Sequence, residues 1–261
     1  MSGDLVSLVA RRFEAYAGRF HDDQGDGFAY ALKIEHTKRV LAIAETICAE
    51  ERLPADVTLA ARLAALLHDV GRFPQYLEYR TFRDADSANH AALSVVHTLR
   101  EKLLDGVPTD IRRMVLGAVY LHNKRSLPNL SSAPLRAVAK VVRDSDKLDI
   151  YQVMIAHFSQ KKPKHPEVAL NVIDDPERYT PAVLQALLAR QLGDYRSIVY
   201  VNDFKLMVVG WLYDLNYATS CRLLHERGYL DTIFAGLPAD DAVLSFRTHI
   251  YTDLAQRLNR A

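Results

Sequence analysis

Cysteine is scarce: Cys48 and Cys221 are the only two in 261 residues and lie far apart. That excludes a disulfide framework and the close-set thiolates of a zinc finger, and it fits a reducing cytoplasm. Charge of one sign is also missing, because 33 basic residues face 32 acidic ones for a formal net charge of +1. Such a balance makes no electrostatic case for polymeric nucleic acid or a membrane surface as partner. No apolar run approaches the roughly 18 residues of a membrane span. The N-terminal stretch lacks the basic segment and apolar core of a signal peptide, so a cytoplasmic location is expected. Repeats and low-complexity tracts are absent as well, and few segments show strand-like alternation.

What is present is apolar bulk with a helical period. Hydrophobic residues make up 49% of the chain, enough to bury one large core, and a single domain over 1–261 is expected. Leu5, Val9, Phe13 and Tyr16 start a first helix ending near Gly18. After a polar, glycine-bearing loop at 21–30, Ile34, Thr37, Val40, Ala44 and Ile47 recur on one helical face. Further helices are expected at about 57–68, 88–104, 109–122 and 135–158, with Asp86 or Ser87 as the cap of the second of these. The aromatic- and arginine-rich stretch 72–86 reads as irregular, and Lys161 to Pro166 as a basic linker. Three or four more helices follow, the clearest at about 197–213, 216–227 and 239–258. The fold class is all-α.

The chemistry lies in the first 150 residues. His36, His68-Asp69, His90, His122 and Asp146 are spaced so that each ligand can sit on its own helix, with a turn or loop between. Imidazoles and carboxylates in this mixture suit Fe, Mn, Co, Ni, Zn or Mg. His68 and Asp69 are adjacent, and on a continuous helix they would point about 100° apart. Gly71 is expected to end that helix and let both turn to one ion. Asp146 interrupts an otherwise apolar helix, where a buried carboxylate needs a partner or a metal. Blander readings apply elsewhere: Asp144 and Asp149 as solvated or ion-paired helix residues, and His97 as structural. His21, His157, His165, His225 and His249 read as surface or packing residues.

With those residues in view, the sequence resembles the HD-domain superfamily, whose pattern is a His, a His-Asp pair and a distant Asp. His36, His68-Asp69 and Asp146 match these positions. The strings His68-Asp69-Val70-Gly71-Arg72-Phe73 and Arg143-Asp144-Ser145-Asp146-Lys147-Leu148-Asp149 look like the family's signature segments. The resemblance implies an HD-like helical bundle over about 30–150, with additional C-terminal helices over about 165–261. It also implies metal-dependent phosphohydrolysis. His90 and His122 match the two extra histidines of members that hold two metals. His36, His68, Asp69 and Asp146 would then hold one ion, and Asp69 would bridge to a second that His90 and His122 complete. With one ion only, His90 and His122 become substrate or proton-transfer groups.

No Gly-Tyr-Pro follows His122, where the chain reads Asn123-Lys124-Arg125-Ser126, so cyclic di-GMP is not an expected substrate. The expected substrate is a nucleotide or another small phosphorylated metabolite. Asp69, Arg72, His90, His122 and Lys147 are the candidate catalytic residues. Arg72, Lys124 and Arg125 are candidates for gripping phosphate, with Arg39 as a further cation. Arg80 and Arg83 are placed at the pocket mouth, and Tyr76, Tyr79 and Phe82 either stack on a base or pack a loop. Two other functions fit the same ligands: a mixed-valent diiron oxygenase, and a nucleotide-binding regulatory module without turnover. An aromatic C-terminal helix suits either a homodimer contact or closure of the core.

Overall fold

The structure, a computed structural model, describes residues 2–21, 27–158 and 172–259. The linker at Lys161–Pro166, with His165, lies outside these residues. The regular elements of the described residues are all helices, apart from one isolated bridge between Ile173 and Tyr200. No described helix is long and apolar enough to cross a membrane. The chain divides into two compact units, Met1–Asp149 and Ile150–Ala261.

In the first unit, α1 (Ser2–Ala17), α2 (Phe28–Glu50) and α3 (Ala55–Leu67) follow the apolar periodicity of the sequence. Helix α3 is the core element, buried on nearly all sides from Val57 to Leu67 and packed against α1, α2 and α6 (Thr109–Leu121). Its alanines at 60, 61, 64 and 65 are fully buried, and their small side chains let neighbouring helices approach. Helix α7 (Ala133–Phe158) supplies Val138, Val141 and Val142 to the core.

The stretch 72–86 departs from expectation, because α4 (Arg72–Tyr79) occupies its first half. Pro74 is harmless there, since it falls in the first turn, where backbone amides have no intrahelical partner. Phe73 provides the driving force: it is fully buried, stacks parallel to Tyr30 at 6.0 Å and meets Phe13 and Tyr16 edge-on. A 3-10 turn, Asp84–Asp86, follows, and α5 (His90–Arg100) is capped by Asn89, whose side chain accepts from the Ala92 amide. Asp86 and Ser87 are thus not the cap.

Gly71 also plays a different part. Its φ is −69°, so it is no left-handed terminator. It marks a close approach instead: a Cβ there would overlap the His90 carbonyl oxygen and lie 2.5 Å from the Ser94 nitrogen.

The second unit holds α8 (Pro181–Leu188), α9 (Val201–Gly210), α10 (Ala218–Glu226), α11 (Tyr229–Ala235) and α12 (Asp241–Leu258). Helix α9 packs against α8 and α11, and α12 against α8 and α10. The short α8 and α11 carry too few turns for their period to stand out in the sequence. Asp203 is fully buried and organises the start of α9, accepting from Thr180 and from the Val199 and Tyr200 amides.

Candidate metal centre

Two of the histidines occupy equivalent places. His68 and His122 each stand one residue beyond a helix end, α3 and α6, where the regular hydrogen-bond ladder stops. Each Nδ1 donates back to the carbonyl three residues earlier, Ala65 at 2.8 Å and Val119 at 2.7 Å. The other two histidines donate to carboxylates: His36 Nδ1 to Asp149 at 2.6 Å, and His90 Nδ1 to Asp84 at 2.7 and 2.8 Å. A ring whose proton is held at Nδ1 presents a lone pair at Nε2.

These Nε2 atoms meet in pairs, His36 with His68 at 3.2 Å and His90 with His122 at 3.0 Å. Two lone pairs facing each other repel unless a cation stands between them. An ion about 2.1 Å from each nitrogen, at a tetrahedral or octahedral angle, would set the nitrogens roughly 3.0–3.4 Å apart. The residues therefore fit a divalent metal.

Asp69 joins the two pairs. Its Oδ2 lies 3.6 Å from His36 Nε2 and 3.8 Å from His68 Nε2; its Oδ1 lies 3.6 Å from His90 Nε2 and 3.8 Å from His122 Nε2. The result is two ligand clusters, His36–His68–Asp69 and Asp69–His90–His122, with capacity for one or two divalent ions. Asp146 adds to the first, its Oδ1 being 3.2 Å from His36 Nε2 and 3.7 Å from His68 Nε2.

The charges are mutually adjusted. Burial pushes the Asp69 carboxyl up, but Lys33, His68, Arg72 and His90 together hold it well below the carboxylate range. For Asp146, burial is likewise overcome by the neighbouring His36 and His68, which hold its carboxyl well below the usual range. Burial, with the neighbouring His90 and His68, pulls His122 down to about 3. His90 is lowered too, by burial and Arg72 against the opposing Asp84. His36 goes the other way: burial lowers it, and the neighbouring carboxylates Asp146 and Asp149 raise it further. Neutral His90 and His122 are ready to ligate.

The cations proposed for phosphate separate by position. Arg72 stands beside the cluster, with Nε buried, lacking a hydrogen-bond acceptor and 3.5 Å from Asp69 Oδ1. Its other end donates to Gln75, the Phe82 carbonyl and Asp84. The Lys124 ammonium lies over the Tyr120 ring, Arg125 is exposed, and Lys147 is half-buried next to Asp146. Arg39 is committed to Asp149 through a two-nitrogen fork at 2.6 and 3.0 Å. Arg80 lies over Tyr76 and Arg83 pairs with Asp86, while Tyr76 on α4 stacks on Phe82 of the following loop.

Lys33 and Asp84, which no sequence motif marks, and Asp149, expected only as a solvated or ion-paired helix residue, also build the centre. Lys33 lies 2.8 Å from Asp69 Oδ2, and fully buried Asp149 orients His36. Lys33 precedes His36 by three positions and Asp149 follows Asp146 by three, a same-face spacing that carries a signal. Asp84 carries none. Arg143, 2% exposed, holds the end of α6 by donating to the carbonyls of Leu121, His122 and Lys124.

Residues 34–151 match the family model described as HD domain. No curated protein and no solved structure gives a significant match. The matched span begins just before His36 and ends just beyond Asp149, so it encloses both ligand clusters and supports metal-dependent hydrolase activity. Within the matched span the chain is similar to an HD domain, and its additional histidines His90 and His122 face the far oxygen of Asp69.

Proposed function

We propose that this protein hydrolyses a phosphoester of a nucleotide or small phosphorylated metabolite, using water activated at two divalent ions drawn from Fe, Mn, Co, Ni, Zn or Mg. The division of Asp69, one oxygen toward each histidine pair, is the observation that carries this reading. Bound divalent ions supply a water that ionises near neutral pH and positive charge for the phosphate oxygens.

The chain's own residues do the rest. The Nδ1 acceptors hold four lone pairs inward, so the site is organised before substrate arrives. Arg72 and Lys33 flank the bridging carboxylate and both lie over the Phe82 ring, at 5.8 and 5.1 Å. Arg72 Nε, buried and lacking an acceptor, suits a charge-assisted hydrogen bond to a phosphate oxygen. That favours Arg72 over Lys124 and Arg125 as the phosphate-binding cation.

The test is product release from nucleoside mono-, di- and triphosphates, cyclic nucleotides and simple phosphomonoesters. Each is paired with each metal and run beside Asp69→Ala. The expected outcome is metal-dependent turnover that falls by more than about 100-fold in the variant, together with loss of bound metal. Full activity in folded Asp69→Ala would sink the assignment. Oxygen consumption by iron-loaded protein without phosphate release would redirect it to a diiron oxygenase. Tight nucleotide binding without product would point to a regulatory module.

A further inference from the structure

The two histidine pairs are oriented by different kinds of structure. His36 is held by Asp149, which projects from the interior of α7, is fully buried and is clamped by Arg39. His90 is held by Asp84, which lies in a short turn outside the α-helices. That turn is kept in place by side chains. Arg72 donates to the Phe82 carbonyl and to Asp84; Asn123 donates to Asp84 at 3.2 Å. The fully buried Gln75 amide faces three acceptors at once: Asp84 at 3.0 Å, Ser87 Oγ at 2.8 Å and the Ala88 carbonyl at 2.9 Å.

We propose that Asp84 is the positioning residue of the second metal site: by accepting the Nδ1 proton of His90 it aims that ring at His122 and Asp69, and the Phe82–Asn89 segment that carries it sets the occupancy of this site alone. The inference rests on the two-ion reading above. Without Asp84, the Nδ1 proton of His90 loses its acceptor. The ring then turns, or the proton moves to Nε2 and removes the lone pair that an ion needs. The first site has Asp146 in addition to its two histidines and Asp69. The second has His90, His122 and the shared Asp69, so each imidazole carries more of its affinity.

The experiment is titration of metal-stripped full-length protein with Mn²⁺ or Co²⁺, read as stoichiometry and stepwise affinity, with helical circular dichroism as the folding control. Wild type should bind two ions. Asp84→Ala should weaken one of them by about 10–100-fold and leave the other unchanged. Asp84→Asn, which keeps the shape and one acceptor oxygen, should fall between and covers the case in which the alanine variant fails to fold. Asp149→Ala should weaken the opposite ion, so the double variant should impair both.

Two ions held with wild-type affinity in both Asp84 variants would overturn the proposal. So would equal weakening of both ions in folded Asp84→Asn. A wild-type chain that binds a single ion would overturn the two-ion reading itself, a result visible before any variant is made.

Discussion

His97 shows how position separates a ligand from a structural histidine that shares its helix. It lies seven residues after His90, yet its Nδ1 pairs with the Tyr16 hydroxyl at 3.0 Å and its ring meets Tyr16 edge-on. His97→Ala should therefore keep full metal content and lower stability by about 1 kcal/mol, the worth of an ordinary hydrogen bond. Metal analysis and a denaturant titration check both halves; loss of an ion would assign His97 to the site. The candidate ligand histidines were legible because each falls on a helix or one residue past its end, where a side chain can enter the core. Asp84 was not legible, since a carboxylate in a loop has no periodic relation to the ring it orients. Asp149 was half-legible: its spacing from Asp146 puts both on one helix face, but spacing alone does not tell a buried orienting group from an ion-paired surface one.

At the scale of elements, the contact between the His68–Gly71 segment and α5 brings the two halves of the centre together. The Gly71 amide donates to Ser94 Oγ at 2.8 Å, and the backbone of α5 passes where a side chain on residue 71 would project. Gly71→Ala should push α5 outward and carry His90 with it. The expected cost is about 1–3 kcal/mol, the usual range for overpacking a filled site, with weaker binding of the ion at His90 and His122. Unchanged midpoint and metal content would show that α5 accommodates the methyl freely. Glycine after His-Asp was visible in the sequence, but it read as a helix terminator; only the neighbouring helix shows that the requirement is space. The same holds for α4. Pro74 and the cluster of large polar and aromatic residues argued against a helix, and burial of Phe73 among Phe13, Tyr16 and Tyr30 decided for one.

For the molecule as a whole, the centre gathers ionisable groups whose pH dependence does not cancel. His122 binds its proton at about 3 when folded and near 6.5 when unfolded. Between those values the unfolded chain holds more protons, so the contribution of His122 is complete above about pH 6.5 and is lost as pH falls toward 3. His90, also lowered, acts in the same direction. The depressed carboxylates Asp69, Asp84, Asp146 and Asp149 contribute stability that is present above their unfolded values, near 4, and lost below. His36 alone opposes, since its raised value favours the folded state at low pH and fades as pH rises. The metal-free protein should therefore melt at a lower temperature at pH 4 than at pH 7. A melting temperature that rises on acidification would show that His36 outweighs the rest.

The sequence by itself determined the helical class, the register of the long helices and the choice of six candidate ligands, because apolar period and residue chemistry are local properties. Tertiary structure decided what those ligands see. It brings His36 to His68 and His90 to His122, turns the two oxygens of Asp69 to opposite pairs, and gives each Nδ1 proton its acceptor. It also converts Arg39 and much of Arg72 from candidate phosphate grips into clamps on Asp149 and Asp84. These pairings join residues far apart in the chain, and their energies depend on burial and on distances of about 3 Å that exist only once the helices have packed.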